Sequence, residues 1–286
     1  MTSVTAPPPR DDRITGGAPE PDPVRLCTVG GTAIAALTEP AVAGEVVAGW
    51  AAGRGGWIVT VNVDILRAAA RDAGLAELVA SATFAVADGM PLVWASRLAG
   101  DPLPERVTGA SLVGTLAAAA AAHGRSVYLL GGEPGVPEAA AEALVTRLPG
   151  TTVAGTDSPP YGFDRDPGHL AAVLDRVVAA QPDLVLVGLG FPKQERLIAR
   201  LRPRLPEAWL LGCGAGIPFA AGQFRRAPVV LQRVGGEWVH RLALEPRRLA
   251  RRYLAHDMPF ALDLLSRAAA YGFATRPADP RRTARS

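Results

Sequence analysis

Between about residue 57 and residue 214, short apolar runs rich in β-branched residues alternate with longer stretches rich in alanine and leucine. The runs WIVTVN (57–62), TFAVAD (83–88), SVYLLGG (126–132), TTVAGT (151–156), LVLVGLG (184–190) and WLLGCG (209–214) read as strands. The stretches near 63–81, 90–99, 109–123, 135–148, 167–180 and 192–201 read as helices. Alternation of this kind predicts a Rossmann-like α/β fold, a largely parallel, buried sheet flanked by helices. Upstream, VRLCTVGGTAIAAL (24–37) reads as a hairpin turning at Gly30-Gly31.

The pattern changes after FRRAP (224–228). The segments 229–246 and 247–273 read as helices broken around Pro246, with Trp238, Leu242, Leu249 and Leu254 available for an apolar face and no strand following. Four parts are expected: a disordered segment 1–23, an α/β domain 24–224, a basic helical appendage 225–273 and a disordered tail 274–286.

Composition narrows the class. With 286 residues, 49% of them hydrophobic, the chain can bury a substantial core. Cys27 and Cys213 lie far apart in apolar surroundings, which argues against a disulfide framework or a cysteine zinc site and fits a reducing, cytoplasmic setting. The first residues lack the apolar centre of a signal peptide, and no run reaches the roughly 18 apolar residues of a membrane-spanning helix. His123, His169, His240 and His256 show no metal-ligand spacing, so no metal is expected.

Charge is unevenly placed. Residues 225–286 carry thirteen arginines against five acids, +8, which leaves −5 for residues 1–224 of a chain with net charge +3. That asymmetry suits an anionic partner such as lipid head groups, a diphosphate or nucleic acid, and it suits a solvated arginine-rich helix equally well.

Candidate chemistry gathers at the ends of the expected strands, where open α/β sheets bind ligands. Asp88 is placed to act as a general base or to cap the next helix. Thr60 and Asn62 alternate on a strand end, so both could hydrogen-bond a sugar hydroxyl, while Asn62 could instead cap the following helix. Arg106, just before a helix start, suits a phosphate or a surface ion pair. Gly131, Gly132, Gly188, Gly190 and Gly214 allow close approach of a ligand to the backbone, a nucleotide region. The turn after 187 holds Lys193, the only lysine in the chain, beside Gln194, whose donor and acceptor groups suit sugar or diphosphate oxygens. The series Gly212, Gly214, Gly216 also permits an NAD(P)-dependent oxidoreductase, although its place late in the chain departs from the dinucleotide fingerprint. A third possibility is a non-catalytic adaptor that holds anionic membranes through its arginine-rich end.

Taken in order, TVN, VADGMPLVW, PERVTG, VYLLGG, VGLGFPKQE, GCGAG followed by RRAP, and GEWVHRLALEPRRLARR resemble the WecG/TagA/CpsF glycosyltransferase family over roughly residues 25–260. The resemblance implies an inverting enzyme without a cofactor. It would transfer N-acetylmannosamine, its uronic acid or a related hexose from a UDP-sugar to a polyprenyl-diphosphate-linked sugar. It would work peripherally on the inner face of the cell membrane, for teichoic acid or other surface polysaccharides, with no nucleic acid partner and with some tendency to self-associate. By the same resemblance Asp88 matches the base, and Thr60, Asn62 and Gln194 match pocket residues. Arg106 matches a diphosphate-holding arginine, and Arg241, Arg248 and Arg251 match basic positions of the appendage. Ile217-Pro218 stands where the family usually has Phe-Asp, so the acidic side chain of that nucleotide region is missing.

Overall fold

The structure, a computed structural model, describes residues 24–223 and 251–275. Strands β1 (Leu26–Val29) and β2 (Thr32–Ala35) form an antiparallel hairpin about Gly30-Gly31, as the sequence predicts. Strands β3 (Gly56–Val61), β4 (Phe84–Ala87), β5 (Ser126–Leu130), β6 (Thr152–Asp157), β7 (Leu184–Val187) and β8 (Trp209–Gly212) form one six-stranded sheet in the order β4-β3-β8-β7-β5-β6. Every pairing in it is parallel, so all six strands end at the same edge.

Period-two alternation divides the core. Trp57, Val59 and Val61 join an apolar layer on one face, whereas Ile58, Leu184, Leu186 and Leu211 join the layer on the other. Helices α2 (Val63–Ala69), α3 (Ala73–Ala80), α4 (Met90–Leu98), α7 (Pro167–Ala179) and α8 (Lys193–Leu201) cover the first face. Helices α1 (Glu39–Ala51), α5 (Gly109–Ala122), α6 (Val136–Arg147) and α9 (Gly216–Ala220) cover the second.

Three differences from the sequence reading have local causes. Helix α1 has no counterpart in that reading: its small residues give little periodicity, and its start is fixed by the Thr38 hydroxyl, which accepts from Ala41 N. The single helix expected over 63–81 is two, because Asp72 leaves the helix and caps α3 through Leu75 N. After β8 the chain makes the five-residue helix α9, also absent from the sequence reading.

Of the C-terminal part, the described residues form a π-helical turn, Arg251–Asp257, followed by helix α10 (Met258–Thr275). The remainder of the two helices expected over 229–273 lies outside the described residues, as do segments 1–23 and 276–286. Helix α10 is no loose appendage. Leu264 is buried in the first apolar layer, and α10 lies so close to α4 that a Cβ on Gly272 would come within 1.9 Å of Leu98 O. Asp257 pairs with Arg67 of α2 at 3.2 Å, which ties the π-helical turn to the helix that begins at Asn62.

Candidate active site

The C-terminal edge of the sheet carries, in spatial order, Asp88 after β4, Asn62 after β3, Gly212 to Gly214 at the end of β8, Gly188 to Gly190 after β7, and Gly131-Gly132 after β5. Because β3 and β7 lead to helices on one face while β8 and β5 lead to helices on the other, the connections part at the centre of this edge. A crevice at such a switch point is where parallel α/β sheets bind ligands.

Asp88 enters the site from the β4 end, its N–H bonded to Val61 O at 2.7 Å. It does not cap α4: Gly89, at φ +150, occupies that position and no side chain caps the helix. Its Oδ2 instead lies 3.5 Å from Gly109 N, in the first turn of α5. A carboxylate facing a fourteen-residue helix N-terminus sits in a favourable field. Arg106 precedes Thr108, whose hydroxyl caps α5 by accepting from Ser111 N. The arginine and the carboxylate thus belong to the same helix start.

Thr60 is 6% exposed and its hydroxyl donates to Gly212 O at 3.1 Å, stitching β3 to β8. Asn62 caps α2, its side-chain oxygen accepting from Ile65 N at 3.1 Å, and remains half-buried at the edge. Gly131 explains how tightly the strand ends assemble. At φ +109, a Cβ there would meet Gly188 O at 2.6 Å, so the β5 and β7 turns can touch only through glycine.

Gln194, expected to face a ligand, is 3% exposed. Its Oε1 accepts from Gly190 N at 3.2 Å and Gly214 N at 3.1 Å, and its Nε2 donates to Glu195 Oε1 at 2.7 Å. It therefore joins the turns after β7 and β8. Lys193 points elsewhere: its ammonium pairs with Asp164 at 3.0 Å and lies over the rings of Tyr161 and Phe163. That hydrogen bond holds the Asp164 carboxyl below the usual carboxylate range. Arg241 and Arg248 lie outside the described residues, and Arg251 opens the π-helical turn.

Sequence reasoning missed Glu195. An acid in the first turn of a helix reads as a surface residue favoured by the helix dipole, yet Glu195 is 0% exposed. Burial pushes its carboxyl from the ordinary 4.5 up to about 7, against the lowering effect of the Gln194 hydrogen bond. The folded protein then holds a proton between pH ~4.5 and ~7 that the unfolded chain has released. Stability accordingly falls as pH rises through that window and is level above it, by a total of about 3 kcal/mol. Urea titrations of wild type and Glu195→Gln from pH 5 to 8 should show that slope in the first and its loss in the second.

Among the described residues, no group of three or more His, Cys, Asp or Glu could hold a metal ion, and no helix is long and apolar enough to cross a membrane. The glycines after β8 lead into the short α9, with no further strand among the described residues. Among the described residues they open no βαβ unit of the kind a dinucleotide fold needs.

The fold is that of a parallel α/β protein whose C-terminal strand edge carries a carboxylate set against a helix start. The sequence profile of the glycosyl transferase WecG/TagA/CpsF family matches residues 27–272, and the chain belongs to that family. Two relatives are named N-acetylglucosaminyldiphosphoundecaprenol N-acetyl-beta-D-mannosaminyltransferase. The one from Bacillus spizizenii is 32% identical over 198 residues, 69% of this chain and 75% of the relative. The one from Staphylococcus aureus strain NCTC 8325 is 31% identical over 199 residues, 68% of this chain and 74% of the relative.

Proposed function

We propose that the protein is an inverting hexosyltransferase that moves N-acetylmannosamine, or a closely related hexose, from a UDP-sugar to a polyprenyl-diphosphate-linked N-acetylglucosamine. The observation that carries this reading is Asp88: a carboxylate at the strand edge, released from capping α4 and set beside the start of α5. In the proposed reaction Asp88 takes the proton of the acceptor hydroxyl as that oxygen bonds to the anomeric carbon. The bond from that carbon to the UDP oxygen breaks on the opposite face, and UDP departs with the electron pair. Arg106 and the helix start stabilise diphosphate charge as it develops.

Thr60 and Asn62 border the acceptor side. The nucleotide lies over the turns of Gly131, Gly132, Gly188, Gly190 and Gly214, and Gln194 ties the turn of Gly190 to that of Gly214. Arg241, Arg248 and Arg251 neutralise the lipid diphosphate.

Peripheral attachment to the cytoplasmic face of the membrane has support in the exposed apolar side chains of the C-terminal segment, Leu254, Met258, Leu262, Tyr271 and Phe273, beside an arginine-rich stretch. The product would enter teichoic acid or a related surface polysaccharide. Incubating purified protein with a panel of UDP-sugars and a polyprenyl-diphosphate-N-acetylglucosamine analogue should release UDP and give a product heavier by one hexose residue. Release from no donor in the panel would overturn the reading, and tight NADH binding without UDP binding would replace it with the oxidoreductase alternative.

A further inference from the structure

Glu195 is a buried acid that the proposed reaction does not use, and its surroundings are specific. Its Oε1 takes the hydrogen bond from Gln194 Nε2, while its Oε2 is buried with no hydrogen-bond partner among the described residues. The Gln194 amide in turn faces two backbone donors, Gly190 N and Gly214 N. Room for this pair exists because residue 212 is glycine. A Cβ there would come within 2.8 Å of Gln194 Nε2 and 3.1 Å of Glu195 Oε1.

A glutamine amide can present either end. Two N–H donors require its oxygen, and only an acceptor on the far side leaves its NH₂ satisfied in that orientation. Glu195 supplies the acceptor. An apolar residue would pack there with less cost to stability above neutral pH, so burying an acid at this position is not explained by stability alone.

We propose that Glu195 is a positioning residue for donor binding. By orienting the Gln194 amide it latches the turn after β7 to the turn after β8, and so sets the spacing of the backbone that borders the crevice. The latch is read directly from the geometry; its effect on a sugar nucleotide rests on the function proposed above. Glu195 itself does not touch substrate.

Three variants test it. Glu195→Gln retains a carbonyl acceptor for Gln194. Glu195→Met removes the acceptor at similar length, and Glu195→Asp keeps the carboxylate but withdraws it by one methylene. Amide hydrogen exchange on substrate-free protein should show Gly190 and Gly214 exchanging about tenfold faster in the Met and Asp variants, as expected for losing a buried hydrogen-bond partner. Glu195→Gln should keep wild-type exchange. In turnover assays the Met and Asp variants should raise KM for the UDP-sugar by about tenfold or more with a smaller change in kcat, and Glu195→Gln should restore it.

The Asp variant decides the question if the Met variant does not fold. Wild-type exchange at both glycines in a folded Met or Asp variant overturns the latch. Altered exchange with an unchanged KM overturns its role in binding. Exchange requires no turnover, so a wild-type protein inactive on every UDP-sugar would refute the functional reading while leaving the latch to be judged separately.

Discussion

Asp88→Asn is expected to lower kcat by about 10²- to 10⁴-fold, the usual worth of a positioned general base. The substitution is nearly isosteric. An asparagine oxygen can still accept the long contact from Gly109 N, and the backbone bond from residue 88 to Val61 O is untouched, so fold and UDP affinity should survive. What disappears is a group able to take the acceptor's proton. Steady-state rates on the lipid acceptor, beside circular dichroism melts and UDP titration, measure the effect. A folded Asp88→Asn enzyme with wild-type turnover would show that the proton leaves by another route.

Replacing Arg241, Arg248 and Arg251 together with alanine should reduce kcat/KM for a polyprenyl-diphosphate acceptor by about 10³-fold or more. Hydrogen bonds to charged groups contribute roughly 1.5–3 kcal/mol each when their partners are desolvated. Binding to anionic vesicles should weaken as well, and the loss should be greatest at low salt, where wild-type attraction is least screened. Co-sedimentation and acceptor kinetics provide the check. Undiminished kinetics would remove these arginines from the mechanism. Cutting the chain at residue 225 is the poorer experiment. It would take away Leu264 from the core and α10 from its close packing on α4, so lost activity could reflect an uncovered apolar surface.

Much of the fold can be read from residue pattern alone, for physical reasons. Strands buried on both faces must be apolar along their length, and LVLV and WLLG announce themselves that way. The weak periodicity of EPAVAGEVVAGWA conceals α1, because small side chains distinguish poorly between a buried and an exposed face. Strand order is set by packing between distant segments. No local pattern places β8 beside β3.

The candidate site divides in the same manner. Asp88 and the glycine turns are visible because a strand end and a change in composition coincide there. Asn62 does cap its helix, one of the two roles its position allows. Gln194 and Glu195 sit in the polar opening of an amphipathic helix, and their burial depends on a glycine eighteen and seventeen residues further on, respectively. Lys193, singular in composition, proves to bind an aspartate and two aromatic rings.

The pairing of β3 with β8 also constrains how the molecule is made. The hydrogen bond from Thr60 to Gly212 spans 152 positions of chain, and β8 is the strand that joins the β4-β3 pair to β7, β5 and β6. A nascent chain emerging from the ribosome can assemble β3 with β4, but it must wait for β8 before the two halves join and the crevice exists. Until that moment the β3 edge stands open as a template for the wrong partner. Incompletely synthesised chains should therefore be the aggregation-prone species, and slowing translation shortly before residue 209 should lower the yield of soluble protein.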